Sequence, residues 1–292
     1  MTKKLPTFLA SKDKAFYSKK TLNINGNLVD LTTPKIMGIL NVTSDSFYDG
    51  GKFEREEHSI KQVERLVSEG ADIIDIGGYS SRPGAKDIDE QLETERVLKG
   101  IRSVRAVSKS IPISVDTFRA KVAQEAIDAG ASIVNDISGG SLDSDMFQTI
   151  SENNVSYIMM HMVGNPQNMV QNVQYDDMLT EMLNYFAKKL HELTHFGVKD
   201  VIIDVGFGFS KTTDQNYDLL SSLNLFQMLQ APILVGISRK SMIYKILESG
   251  PDTALNGTTA LHAIALIKGA NILRVHDVKE AKEVIDLVKL IN

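Results

Sequence analysis

The sequence predicts an α/β fold, a single (β/α)8 TIM barrel carrying a short N-terminal hairpin. Three observations predict it. Eight short apolar, β-branched runs recur along the chain from Lys35 onward, and helix-period patterns separate them. Three of those helices enter the next strand through the same Gly-Ala step. No Pro-, Gly- or Ser-rich linker divides the chain, so a second domain is not called for.

In chain order, LNINGNLVDL carries an Asn25-Gly26 hairpin signal and reads as a small hairpin plugging the barrel floor. The runs then follow as KIMGILNV from Lys35, DIIDIGG from Asp72, IPISVDT from Ile111 and ASIVNDI from Ala131. VSYIMMH from Val155, DVIIDVG from Asp200, PILVGIS from Pro232 and NILRVHD from Asn271 complete the set. Each is apolar on both alternations, as a parallel strand covered on both faces must be. Between them, Ile60, Val63, Leu66 and Val67 share one helix face, as do Val122, Ala126 and Ile127, and again Val278, Ala281, Ile285 and Val288. Gly70, Gly130 and Gly269 stand where a helix ends on a left-handed residue. Strands alternating with helices imply a parallel sheet, and eight units in about 250 residues imply a closed barrel over an open doubly wound sheet. Residues 1–34 are thus an extension plus hairpin, and residues 35–292 the barrel.

Composition sets limits on partners. The 292 residues hold 32 Lys plus Arg against 37 Asp plus Glu, a net charge of −5, so no broad basic surface invites nucleic acid or an anionic membrane. Any anion must be held by a few local cations. Cysteine is absent, which excludes disulfides, thiolate metal sites and a cysteine nucleophile, and fits a cytoplasmic location. No signal peptide or membrane-spanning run is expected.

Polar residues gather at the strand ends: Asn41, Asp75, Asp116 with Thr117, Asn135 with Asp136, His161, Asp204, Ser238-Arg239-Lys240, and Arg274 with His276. A single Asp or Asn at such a place serves equally well as a helix cap. Polar residues at all eight ends mark the rim on which active sites of this fold are built. Asp116, Asn135 and Asp204 suit a flat ligand rich in N–H donors, and Lys240 a ring carbonyl or nitrogen. Arg274 and His276 end the last strand, near the usual phosphate site of the fold, and Asn41 offers one hard oxygen for a magnesium ion.

Two loops carry a resemblance. MGILNVTSDSFYDGG from Met37 and IDIGGYSSRPGA from Ile74 resemble the two signature segments of the dihydropteroate synthase family. The likeness continues in order through SVDTF, IVNDISGG, MMHM, IDVGFGFSK, GISRKS and LRVHDV. The resemblance implies a (β/α)8 barrel and a transferase that condenses 6-hydroxymethyl-7,8-dihydropterin pyrophosphate with p-aminobenzoate in folate biosynthesis. It further implies magnesium, a homodimer and sulfonamide targeting. By the same resemblance, Asp116, Asn135, Asp204 and Lys240 are the pterin set, walled by Ile137, Met160 and Phe209. Asn41, Arg274 and His276 are the pyrophosphate and magnesium corner. Phe47, Ser81, Arg82, Pro83, Lys240 and Ser241 are the p-aminobenzoate side, and Asp45 and Asp49 help to close the first loop. Three positions depart from the family pattern: Ser44 replaces a frequent Pro, Tyr79 a common Glu, and Val205 the usual Pro.

Other signals are weaker. His191-Glu192-Leu-Thr-His195 matches H-E-x-x-H, yet Gly197 ends that helix at the barrel's opposite face and no third ligand follows. GFGFSK from Gly206 lacks the spacing of a nucleotide loop. A methyltetrahydrofolate-dependent methyltransferase on the same barrel would not need the Ser-Arg-Pro-Gly loop or the Arg274/His276 corner, and a mere pterin-binding module would not need apparent catalytic residues.

Overall fold

The computed structural model describes residues 19–42, 52–80, 87–165 and 174–291. Eight parallel strands form a closed barrel: β3 (Lys35–Asn41), β4 (Ile73–Gly77), β5 (Ile113–Asp116), β6 (Ile133–Asp136), β7 (Ser156–Met160), β8 (Val201–Asp204), β9 (Ile233–Val235) and β10 (Ile272–Val275). β10 pairs with β3, which closes the ring and decides against an open sheet.

The strands are apolar on both alternations because each face meets a different partner. One set of alternating residues, among them Ile36, Leu40, Ile74, Ile76, Val115 and Val134, packs beneath the helices. The other set points inward. Its lowest layer joins Met37, Ile73, Ile133, Ile158, Ile202, Leu234 and Ile272 with Leu22, Ile24 and Leu31 of the N-terminal hairpin. That hairpin is β1 (Thr21–Ile24) and β2 (Asn27–Asp30), antiparallel around Asn25 and Gly26, both at positive φ as a tight two-residue turn requires. Only its Leu22 and Ile24 face is buried, so the hairpin closes the floor as the sequence predicts. Ser156 Oγ donates to the Asn23 carbonyl, and Asp200 accepts from both Asn23 N–H and Lys19, which fastens the hairpin under β7 and β8.

The three Gly-Ala steps are helix stops of one kind. α1 (Lys52–Ser68), α3 (Ala120–Asp128) and α8 (Leu255–Ile267) each end with Gly70, Gly130 or Gly269 at φ near +100°. In each the glycine N–H bonds the carbonyl three residues back and the alanine N–H the carbonyl five back, the paired bonds of a Schellman stop. The expected faces of α1, α3 and α9 (Val278–Val288) turn to the barrel, with Val63, Leu66, Val122, Ala126 and Ile285 buried.

α8 contains a polar residue in an apolar place. His262 is 1% exposed, and among the described residues neither ring nitrogen has a hydrogen-bond partner. Burial, opposed by Asp277, draws its pKa from 6.5 down to about 4. Above pH 6.5 both folded and unfolded chains hold it neutral. As pH falls below 6.5 only the unfolded chain binds the proton, so stability drains away until about pH 4, by a total of about 3 kcal/mol. His262→Leu is therefore expected to gain stability over the parent in denaturant titrations at pH 5, by more than it does at pH 8. An equal gain at both pH values would contradict this.

Candidate active site

The strand register sets the rim. Asn41 is the partner of Gly77, Gly77 of Asp116, and Asp116 of Asn135, while Met160 on β7 partners Asp204 on β8. Of these positions Asp116, Asn135, Met160 and Asp204 open onto a cleft that is also lined by Ile137, Phe209, Gly236, Lys240 and Arg274. The whole pterin set suggested by the sequence, polar groups and apolar walls alike, thus meets in one place. Gly236 adds no side chain, which leaves room beside Arg274.

An ion network forms the floor of the cleft. Arg274 Nε donates to Asp75 Oδ2 and Nη2 to Asp116 Oδ2, each at 2.6 Å. Asn135 Nδ2 donates to the same Asp75 oxygen at 3.2 Å. Burial pushes the Asp116 carboxyl above the ordinary carboxylate range against the pull of Arg274, and Asp75 adds to the rise. Burial also disfavours the Arg274 charge, but Asp75 and Asp116 more than offset it and hold the guanidinium protonated. Such a cluster is tolerable away from water because Arg274 faces both acids, although Asp75 Oδ1 has no hydrogen-bond partner among the described residues.

Asp204 lies across the cleft, 6% exposed, and accepts from Gly206 N–H at 2.8 Å. Burial raises its pKa, while Lys240, the Gly206 N–H, Arg274 and Lys211 lower it. Lys240 bonds the Phe207 carbonyl and stands 4.5 Å over the Phe209 ring. Burial brings its pKa down to about 8, with Asp204 opposing. The residue before it, Arg239, takes a left-handed φ of 55° and turns away to pair with Asp277 through two bonds of 2.9 and 2.6 Å. That reversal lets Lys240 face the cleft.

Of the residues expected at an anion corner, Arg274 bonds carboxylates inside the cleft, and His276 Nδ1 lies 3.2 Å from Ser238 Oγ and is not among the cleft-lining residues. Ser241 begins α7 (Ser241–Tyr244), a helix of four residues, so any carboxylate there would meet single N–H groups rather than a developed helix dipole. The Asn41 amide oxygen stands over Gly77, where an added Cβ would come within 3.3 Å of it. Among the described residues no group of three or more His, Cys, Asp or Glu could hold a metal, so one hard oxygen from Asn41 suits only an ion that takes its other ligands from substrate and water. Phe47, Asp45, Asp49, Ser44, Ser81, Arg82 and Pro83 lie outside the described residues.

Sequence reasoning saw Asp75 on the rim but gave it no role. It is wholly buried and links Arg274 to Asn135. Period-two spacing from Ile73 through Asp75 to Gly77 was the available signal that it points inward. Glu93 was missed altogether. It is wholly buried on α2 (Glu90–Val107), where its carboxylate accepts from Thr117 Oγ1 and Arg119 Nη1, each at 2.6 Å. Arg119 in turn lies against the rings of Tyr79 and Phe118, which meet edge to face, so Tyr79 has partners suited to it. Val205 is core. His191 and His195 are exposed on α5 (Met178–His195), with His195 Nδ1 on the His191 carbonyl, at the far face from the cleft.

Comparison with known proteins agrees with this geometry. The family model described as pterin binding enzyme matches residues 37–276. A dihydropteroate synthase of Synechocystis is 43% identical, covering 85% of this chain and 87% of its own. The structure of Yersinia pestis dihydropteroate synthase in a sulfonamide complex superposes with a TM-score of 0.86 at 37% identity, covering 93% of this chain and 98% of that one. That of Xanthomonas albilineans dihydropteroate synthase with 4-aminobenzoic acid gives 0.87 at 34% identity, covering 94% and 98%. The chain therefore belongs to the pterin-binding enzymes and, within them, to the dihydropteroate synthases.

Proposed function

We propose that the cleft binds 6-hydroxymethyl-7,8-dihydropterin pyrophosphate and that the chain joins it to p-aminobenzoate, releasing diphosphate and dihydropteroate. The observation that carries this reading is the convergence of Asp116, Asn135, Asp204 and Lys240 between the apolar walls Ile137, Met160 and Phe209. Acceptors at the floor suit the N–H edge of a pterin, and the walls suit its faces. The bond from the pterin methylene carbon to the diphosphate oxygen breaks first, and the aniline nitrogen then bonds to that carbon and loses a proton. Positive charge develops on the ring as diphosphate leaves. Asp116 and Asp204 are fixed around that ring, where preorganised negative charge lowers the barrier without a covalent nucleophile. Lys240 orients the ring, and Arg274 holds Asp116 in place.

His276 and Asn41 lie toward the leaving group in this reading. A magnesium ion taking the Asn41 oxygen would supply charge neutralisation for the departing diphosphate. Motif likeness assigns Phe47, Ser81, Arg82, Pro83 and Ser241 to the p-aminobenzoate side. Purified protein incubated with both substrates and Mg²⁺ is expected to release dihydropteroate and diphosphate in equal amounts. Pterin binding without either product would overturn the reading.

The homodimer is also a proposal. α8 exposes Ile264 and Ile267, and Ile246 and Leu247, which follow α7, are exposed as well. Gly257 of α8 abuts Ile243 and Leu247, and Gln227 of the short 3-10 helix Leu223–Leu229 bonds the Lys268 carbonyl, which brings exposed Leu225 and Met228 near the helix end. An apolar face of this kind fits a second copy of the chain in a cytoplasmic enzyme. Light scattering is expected to give twice the chain mass for the parent and the single mass for Ile264→Lys with Ile267→Glu. A monomeric parent would refute the dimer.

A further inference from the structure

Behind the cleft wall lies a buried cation that the reaction scheme does not use. Lys211 follows β8 and is 9% exposed. Its Nζ donates to the carbonyls of Gly206 at 3.1 Å and Phe209 at 3.0 Å, and lies 3.2 Å from His161 Nδ1. An ammonium has three protons, and these are three acceptors. His161 is suited to the third place. Burial and the Lys211 charge hold its pKa down to about 3, so the imidazole stays neutral with Nδ1 open as an acceptor and the proton on Nε2. Burial pulls Lys211 itself down to about 7, against Asp204.

Both carbonyls lead to the cleft. Gly206, whose carbonyl Lys211 holds, donates its N–H to Asp204. Phe209, whose carbonyl Lys211 also holds, places its ring in the cleft wall under Lys240. The connecting turn passes through left-handed Gly206, Gly208 and Ser210. At Gly206 an added Cβ would come within 2.2 Å of the His161 carbonyl, so the turn passes that strand end too closely for any other residue. Having no strand partner, the turn depends on outside contacts. Asn216 takes the Gly208 N–H at 2.7 Å, Ser210 Oγ bonds Val163 N–H and carbonyl, and the Tyr175 hydroxyl bonds the Ser210 carbonyl. Lys211 bonds the turn at both Gly206 and Phe209.

We infer that Lys211 is a positioning residue of the pterin cleft: its ammonium clamps the 206–210 turn against His161, and so holds in place the Gly206 N–H that Asp204 accepts and the Phe209 ring that walls the cleft. The inference rests on the pterin reading above. Asp204 is faced by Lys240 and Arg274 in the cleft and by Lys211 from behind. Lys211 is faced by Asp204, Lys240 and His161, the last packed among Tyr175, Tyr185 and Phe186.

The test is the pH dependence of binding of an unphosphorylated pterin, followed by its fluorescence, for parent, Lys211→Met and Asn216→Ala, with folding checked by circular dichroism. Lys211→Met is expected to weaken binding about tenfold or more and to move the acid limb of the profile to higher pH, because Asp204 loses a cation that lowers its pKa. Asn216→Ala loosens the same turn but leaves the charge, so it is expected to weaken binding with the limb unmoved. Loss of affinity in Lys211→Met without a shift is what a merely structural lysine gives, and it would overturn the inference, as would parental binding. Should Lys211→Met not fold, His161→Leu removes one of the three acceptors and is expected to weaken binding; parental affinity there would equally overturn it. A folded parent that binds no pterin would instead refute the underlying reading.

Discussion

Two carboxylates and one guanidinium in the barrel mouth are the constraint on which the site depends. Asp75 comes from β4, Asp116 from β5 and Arg274 from β10, 199 and 158 residues away in sequence. Only a closed ring brings β10 round to β3, with β4 and β5 next in order. None of the three charges could be kept from water singly, because an unpaired buried ion costs several kcal/mol. Closure of the barrel is therefore what brings the network's members together, and Asn135 is fixed by the same Asp75 oxygen.

That arrangement also prepares the cleft for positive charge. Asp116 and Asp204 are held by neighbours before any ligand arrives, so in the proposed reaction little reorganisation would remain as positive charge develops on the pterin. The cations are unequal in task. Arg274 is engaged with the floor, Lys240 leans on a carbonyl and an aromatic face, and Lys211 works from behind the wall. A chain with a net charge of −5 thus keeps its positive groups where the chemistry needs them.

Much of this was legible beforehand. Alternating apolar strands, the Gly-Ala stops and Asn25-Gly26 specify local backbone, and the structure has all of them where expected. The polar rim was legible because period-two spacing and the fold's open end both act locally along each strand. What remained hidden depends on pairing across the ring. Arg274 ends its strand beside His276 in sequence, so both read as one anion corner, yet its partners are two acids from the second and third barrel strands. Glu93 lies in an ordinary amphipathic helix, and nothing local shows that it meets Thr117 and Arg119. Lys211 reads as one more charge after GFGFS, because its three acceptors are assembled by a turn and by the end of a neighbouring strand.

The central claim, that Arg274 and Asp75 act as one unit in shaping the pterin cleft, is tested most directly by a double-mutant cycle. Affinity for an unphosphorylated pterin would be measured by calorimetry for the parent, Arg274→Gln, Asp75→Asn and the double variant. The account predicts strong non-additivity, a coupling of about 1 kcal/mol or more, since either single change already dissolves the network. Additive losses would contradict it.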